Sequence, residues 1–125
     1  MNAFSHIFVR QQIDSLPFFC CRFLSHLQNV DFGHNAIVSV QDRAFRNQQR
    51  LVSLKLDHNK IGRVGQATFY GLREMEVLSL RKNELEVVEA NTFTKASKLQ
   101  KLDLAKNRIT RVDPAAFAKV TRYFY

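Results

Sequence analysis

The sequence predicts an α/β solenoid: short parallel strands joined by irregular or short helical returns, wound from repeats of 24 residues. Two columns of identical residues and one apolar pattern predict it. Asparagine recurs at Asn35, Asn59, Asn83 and Asn107, and phenylalanine at Phe45, Phe69, Phe93 and Phe117, every step being 24 residues. An apolar pair two residues apart precedes each asparagine: Val30 and Phe32, Leu54 and Leu56, Leu78 and Leu80, Leu102 and Leu104. Self-similarity at a fixed period of this length is the signature of a repeat architecture.

Each slot has a physical task. The segment ending in the apolar pair has period 2, which suits a short strand with one buried face. Leu27, Leu51, Met75 and Leu99 sit three residues ahead of it. Copies of such a strand stacked side by side make a parallel sheet. The asparagine follows where the chain must turn. Its amide both donates and accepts, so it can satisfy backbone groups freed by the turn. Burying it is tolerable only when those partners are present. Ile37, Ile61, Leu85 and Ile109, then Val40, Val64, Val88 and Val112, re-enter the same core. The phenylalanine fills the far side of the coil and buries ~200 Å², which gives the eleven Phe of the chain a structural reason. Stretches such as "GRVGQAT" and "EVVEANT" are polar and mixed, as an irregular return would be.

The organisation read from this period is a degenerate, uncapped first repeat over residues 1–26 and regular repeats over 27–125, truncated at the C-terminus. In the first repeat Ile13, Leu16 and Leu24 fit their slots and Cys21 stands where Phe belongs. The alternation of "HIFVRQQI" fits only with a slip of about one residue. Tyr123 occupies the slot that opens a further strand. One coil cannot cover its own apolar face, so bare ends predict a broad, weak thermal transition and association through end strands. The chain therefore reads as an excerpt of a longer protein or an incomplete gene product.

Composition narrows the function. The chain carries +8 at pH 7 and a pI near 9.9, which favours anionic partners, although the basic residues are scattered. Cys20 and Cys21 are adjacent, so they form neither a disulfide framework nor a zinc spacing. No apolar run reaches a membrane span of ~18 residues, and the opening segment is too short and polar for a secretory signal. His6, His26, His34 and His58 contain no His-x-x-x-His pair. His34 and His58 fall on adjacent rungs and could meet, but two imidazoles alone make a weak metal site. "Gly62-Arg63-Val64-Gly65" lacks the Lys-Ser/Thr ending of a phosphate loop, and Ser53 and Ser79 have no evident His and Asp partners. No catalytic residue, metal site or cofactor is expected, and the chain is not read as an enzyme.

The pattern "LxxLxLxxNxIxxVxxxxFxxL" resembles the leucine-rich repeat, and its length with the fixed Phe resembles the typical subclass found in animal cell-surface and secreted ectodomains. The match covers about residues 27 to 120 and departs at Gln48 and Ala96, where other repeats carry an aliphatic residue. The resemblance implies a right-handed superhelix with the sheet on its concave face and the Phe spine toward the convex side. It also implies a protein-interaction module of an extracellular or cell-surface parent, in adhesion or recognition, or else an innate-immune or signalling ectodomain. "RFLSHLQNVDFGHN" and "NQQRLVSLKLDHNKI" are further similar to the insect Tartan and Capricious receptors, single-span proteins of cell adhesion and sorting.

A partner would use the variable side chains around each asparagine. One concave column runs Asp31, Lys55, Ser79, Asp103, and the next Gly33, Asp57, Arg81, Ala105. Just before the asparagines come His34, His58, Lys82 and Lys106, a cationic ridge ~14 Å long at a strand spacing of ~4.8 Å, with Lys60 and Arg108 able to widen it. The ridge suits an acidic protein surface or a sulfated glycan. The competing view is a solvated edge whose charges Asp57 and Glu84 offset. Mixed signs on the concave face favour protein over nucleic acid, which is not expected to bind.

Overall fold

In the computed structural model, which describes residues 5–16 and 25–118, one parallel sheet contains five strands. In spatial order these are β1 (Ser5–Ile7), β3 (Asn29–Asp31), β5 (Ser53–Lys55), β6 (Val77–Ser79) and β8 (Lys101–Asp103). Ser5 faces Asn29, Asn29 faces Ser53, Ser53 faces Val77, and Val77 faces Lys101. Every register step is therefore one repeat. Two further pairs bridge the returns, β2 (Ser15–Leu16) with β4 (Ser39–Val40), and β7 (Val87–Val88) with β9 (Arg111–Val112). The chain is a solenoid, one coil per repeat.

The core runs the length of the stack. Leu51, Leu54, Leu56, Ile61, Phe69, Met75, Leu78, Leu80, Leu85, Val88, Phe93 and Leu99 are all at 0% exposure. Phe69 and Phe93 stack with centroids 5.8 Å apart, and Phe93 and Phe117 at 5.5 Å, nearly parallel. Gln48 and Ala96, the departures from the repeat pattern, are buried with the rest. The slot before each phenylalanine is also buried and takes only small residues, Ala44, Thr68, Thr92 and Ala116. Val112 is the exception in its column at 48% exposure, since no later coil covers it among the described residues.

The asparagine side chains join consecutive coils. Asn83 Nδ2 donates to Leu80 O in its own coil and to Leu56 O in the coil before, both at 3.0 Å, and its Oδ1 accepts from Ile61 N at 3.0 Å. Asn59 repeats this with Leu56 O, Phe32 O and Ile37 N, and Asn107 with Leu104 O, Leu80 O and Leu85 N. Asn35 donates to Phe32 O and Phe8 O and accepts from Gln11 N and Ile13 N.

One sequence expectation needs correction. The first strand does not slip: Ser5 faces Asn29 and Ile7 faces Asp31, so Phe8 takes the slot of Phe32 and stacks on it at 4.8 Å. The Asn35 amide holds the backbone of Gln11 and Ile13, and that outweighs imperfect side-chain alternation. The returns are of the irregular kind expected from their mixed, polar sequence, with no helix among the described residues. They are successive turns, for example Arg46 N to Arg43 O and Gln48 N to Phe45 O. Arg43 and Asn91 take φ of 62° and 59°, which breaks a helix, and their N–H groups bond the next coil at Ala67 O and Ala115 O. Cys20, Cys21, Leu24, Val120 and Tyr123 lie outside the described residues.

Two stability predictions follow from this packing. Asn83→Ala leaves three backbone groups without their partner and should lower unfolding free energy by about 3 kcal/mol. Asn107→Ala should cost less, because water reaches that half-buried site; urea unfolding of both variants checks the order. Gly71 has φ of +98°, and a Cβ there would lie 2.6 Å from Arg46 Cα. Gly71→Ala should therefore destabilise by roughly 2 kcal/mol or more. Gly62, whose Cβ would meet nothing within 4 Å, should tolerate alanine within about 0.5 kcal/mol, and urea unfolding reads both glycine variants.

Candidate functional site

Two adjoining surfaces carry the variable side chains. The first is the outward face of the sheet. The middle residue of each strand from β3 onward is buried, so its two neighbours face out. A depression of about 260 Å³ on this face is lined by Lys55, Asp57, Ser79, Arg81 and Asp103, together with Val77 and Lys101. The fold thus collects five of the sequence-selected residues in one place. It also adds a column the sequence analysis passed over, Asn29, Ser53, Val77 and Lys101, two residues before the selected one. The outward half of the period-2 pattern was the available signal for it. A second depression of about 250 Å³ lies around Asp31, Asn29, Ser5 and Ile7, where Ile7 is 59% exposed.

The charges within the face differ in how far they are satisfied. Asp31 Oδ1 accepts from Gly33 N at 2.8 Å, and Asp103 Oδ1 from Ala105 N at 2.9 Å, so both carboxylates cap their own turns. Arg81 lies 3.7 Å from Asp103. Lys55 and Lys101 make no ion pair among the described residues, and they supply the excess positive charge of the depression.

The second surface is the edge where the strands end. His34, His58, Lys82 and Lys106 have φ of 56°, 57°, 57° and 61°, and Arg10 joins the column at 57°. A non-glycine residue with this backbone is strained by about 1 kcal/mol or more. The bonds of the asparagine that follows hold His34, His58, Lys82 and Lys106 there. His34, Lys82 and Lys106 are exposed and His58 is half-buried. The rings of His34 and His58 stack at 4.0 Å, and Asp57 Oδ2 lies 3.2 Å from His58 Nδ1. Lys60 and Arg108 are exposed on the flank, and so is Glu84.

On the return side, a larger groove of about 830 Å³ includes Val38, Arg43, Arg63, Tyr70, Glu89 and Lys95. Arg43 lies over the Tyr70 ring at 4.9 Å. Arg63 pairs with Glu89 through two contacts, at 3.0 and 3.2 Å, and that hydrogen-bonded carboxylate raises the guanidinium pKa above its ordinary value.

The leucine rich repeat family matches residues 25–85 and 73–123. The chain belongs to that family, and its sheet is the concave face of a leucine-rich repeat solenoid. Among solved structures, a chain of the Toll–Spatzle complex, a molecular hub in Drosophila development and innate immunity, aligns at a TM-score of 0.85 and 22% identity. That alignment covers 91% of this chain and 15% of the other. The TLR13–ssRNA13 complex aligns at a TM-score of 0.61 and 23% identity, covering 86% of this chain and 19% of the other. These likenesses establish the fold, and the chain spans less than a fifth of either neighbour. No curated protein sequence matches it significantly. One neighbour is described as a complex with single-stranded RNA, so the expectation that nucleic acid does not bind finds no support in this comparison.

Exposed charges contribute little to stability, so Lys82→Glu with Lys106→Glu should leave the melting temperature unchanged. The same pair should slow association with an acidic protein and weaken its salt dependence. Surface plasmon resonance at two ionic strengths reads both effects, and unchanged association would remove the ridge from the site.

Proposed function

We propose that the chain is a non-enzymatic recognition module of a cell-surface or secreted protein, binding a protein ligand on the concave face in cell adhesion or recognition. The observation that carries this reading is the depression where Lys55, Asp57, Ser79, Arg81 and Asp103 converge on strands held in register by buried asparagines. The scaffold beneath is repetitive and rigid, whereas these positions differ from coil to coil. Affinity on such a face is a sum of modest contacts, and a pre-formed scaffold reduces the ordering cost of making them. The unpaired Lys55 and Lys101, with the ridge of Lys82 and Lys106 beside them, favour an acidic protein surface, with a sulfated glycan as the other anionic candidate. The resemblance to Tartan and Capricious supports the adhesion role. The structural likeness to a Toll–Spatzle chain favours a second reading, a segment of a receptor ectodomain that binds a secreted protein.

The test is binding of the fluorescently labelled chain to intact cells, compared with Lys55→Glu/Lys101→Glu. Protein recognition predicts binding that is lost after mild protease treatment of the cells and falls roughly tenfold in the variant. Loss only after removal of sulfated glycans would replace the protein ligand, and loss only after ribonuclease would reverse the nucleic-acid exclusion. Aggregation of cells displaying the chain would favour adhesion. Capture of a soluble secreted protein without aggregation would favour the receptor reading.

A further inference from the structure

His34 and His58 hold the same slot on neighbouring coils, and their rings stack at 4.0 Å with planes 20° apart. Asp57 lies beside them. Its Oδ2 is 3.2 Å from His58 Nδ1, while its Oδ1 is buried with no hydrogen-bond partner among the described residues. Gly33 holds the slot of Asp57 one coil earlier, and a Cβ there would lie 3.6 Å from that oxygen and 2.9 Å from Asp31 Oδ1. One ligating atom from each of His34, Asp57 and His58 falls in a group whose members all lie within 4.8 Å of one another.

We infer that His34, Asp57 and His58 form a binding site for a divalent transition cation of the zinc type, at the edge where the strands end. Two imidazole nitrogens and one carboxylate oxygen are a donor set that zinc accepts, at metal–ligand distances of about 2.0–2.2 Å. Atoms bound to one tetrahedral ion then lie about 3.3–3.6 Å apart. The widest separation in the cluster has to close by up to about 1.3 Å, and the exposed His34 ring can supply that by turning out of the stack about its side-chain bonds. Asp57 Oδ2 and His58 Nδ1, 3.2 Å apart, already stand near the separation of two ligands on one tetrahedral ion. The cation also offsets the charge of a carboxylate whose Oδ1 is a buried acceptor with no partner among the described residues. Arg10 and Lys82, one rung to either side, oppose the ion, so the site is expected to be of modest affinity. Its fourth position opens to solvent, where a ligand from a partner can enter.

The site does not rest on the recognition reading, and its test uses zinc chloride alone. Calorimetric titration of the full 125-residue chain should give one zinc per chain and a raised melting temperature. His34→Asn and His58→Asn suit the test because asparagine readily adopts a positive φ. Each, like Asp57→Asn, should weaken zinc by roughly tenfold or more while leaving the metal-free circular dichroism unchanged. Undiminished one-to-one binding by the His34→Asn/His58→Asn double variant would overturn the assignment, as would a wild-type chain that shows neither heat nor a melting shift. A second measurement needs no variant: substoichiometric Cu²⁺ added to the wild-type chain should broaden the ring signals of His34 and His58 first. Preferential broadening of His6 or His26 would refute the site.

Discussion

The constraint on which the molecule depends is the bonding of one amide per coil. Asn83 reaches Leu80 O in its own turn, Leu56 O in the turn before, and the N–H of Ile61 between them. Asn59 and Asn107 make the corresponding contacts. Two of the three bonds in each set cross between coils, so a coil without a neighbour has lost most of what secures its turn. Stability is then a chain of nearest-neighbour terms. The same bonds hold the residue before each asparagine in a left-handed backbone, from His34 through Lys106. Strain of that kind persists only where the surroundings over-determine it.

Holding the backbone this tightly leaves the sheet face with few structural duties. Identical slots on successive coils carry Asp31, Lys55, Ser79 and Asp103, residues with no common chemistry. Some of them have local tasks, as Asp31 and Asp103 do in capping their turns. Others, Lys55 and Lys101, face outward with no ion pair among the described residues. That difference in prior commitment separates the side chains available to a partner from those already engaged.

Asp57 belongs to both surfaces. It lines the depression on the sheet face and sits against His58 at the strand edge. A cation held there would reduce the negative charge that the depression offers, so metal and partner would sense each other through one carboxylate. Coupling of this kind arises because neighbouring rungs lie only ~4.8 Å apart, closer than the Debye length of ~8 Å in physiological salt.

Much of the fold was legible because the period is 24 residues at every slot, and counting alone places Asn59 beneath Asn83 and Phe69 beside Phe93. The columns of the candidate site could be laid out by the same count. Composition could not show that "HIFVRQQI" pairs without a slip, because the Asn35 amide grips the backbone of Gln11 and Ile13 and ignores their side chains. Nor could it show that the returns are chains of turns, since Arg43 and Asn91 turn left-handed to bond the following coil. The amino-acid order by itself determined which residues share a slot and which face the core, because burial repeats with the period. Only the tertiary structure decided which neighbours touch, that two histidines stack against one carboxylate, and which charges are already paired. Those outcomes depend on side-chain direction across coils, and spacing along a chain carries no information about it.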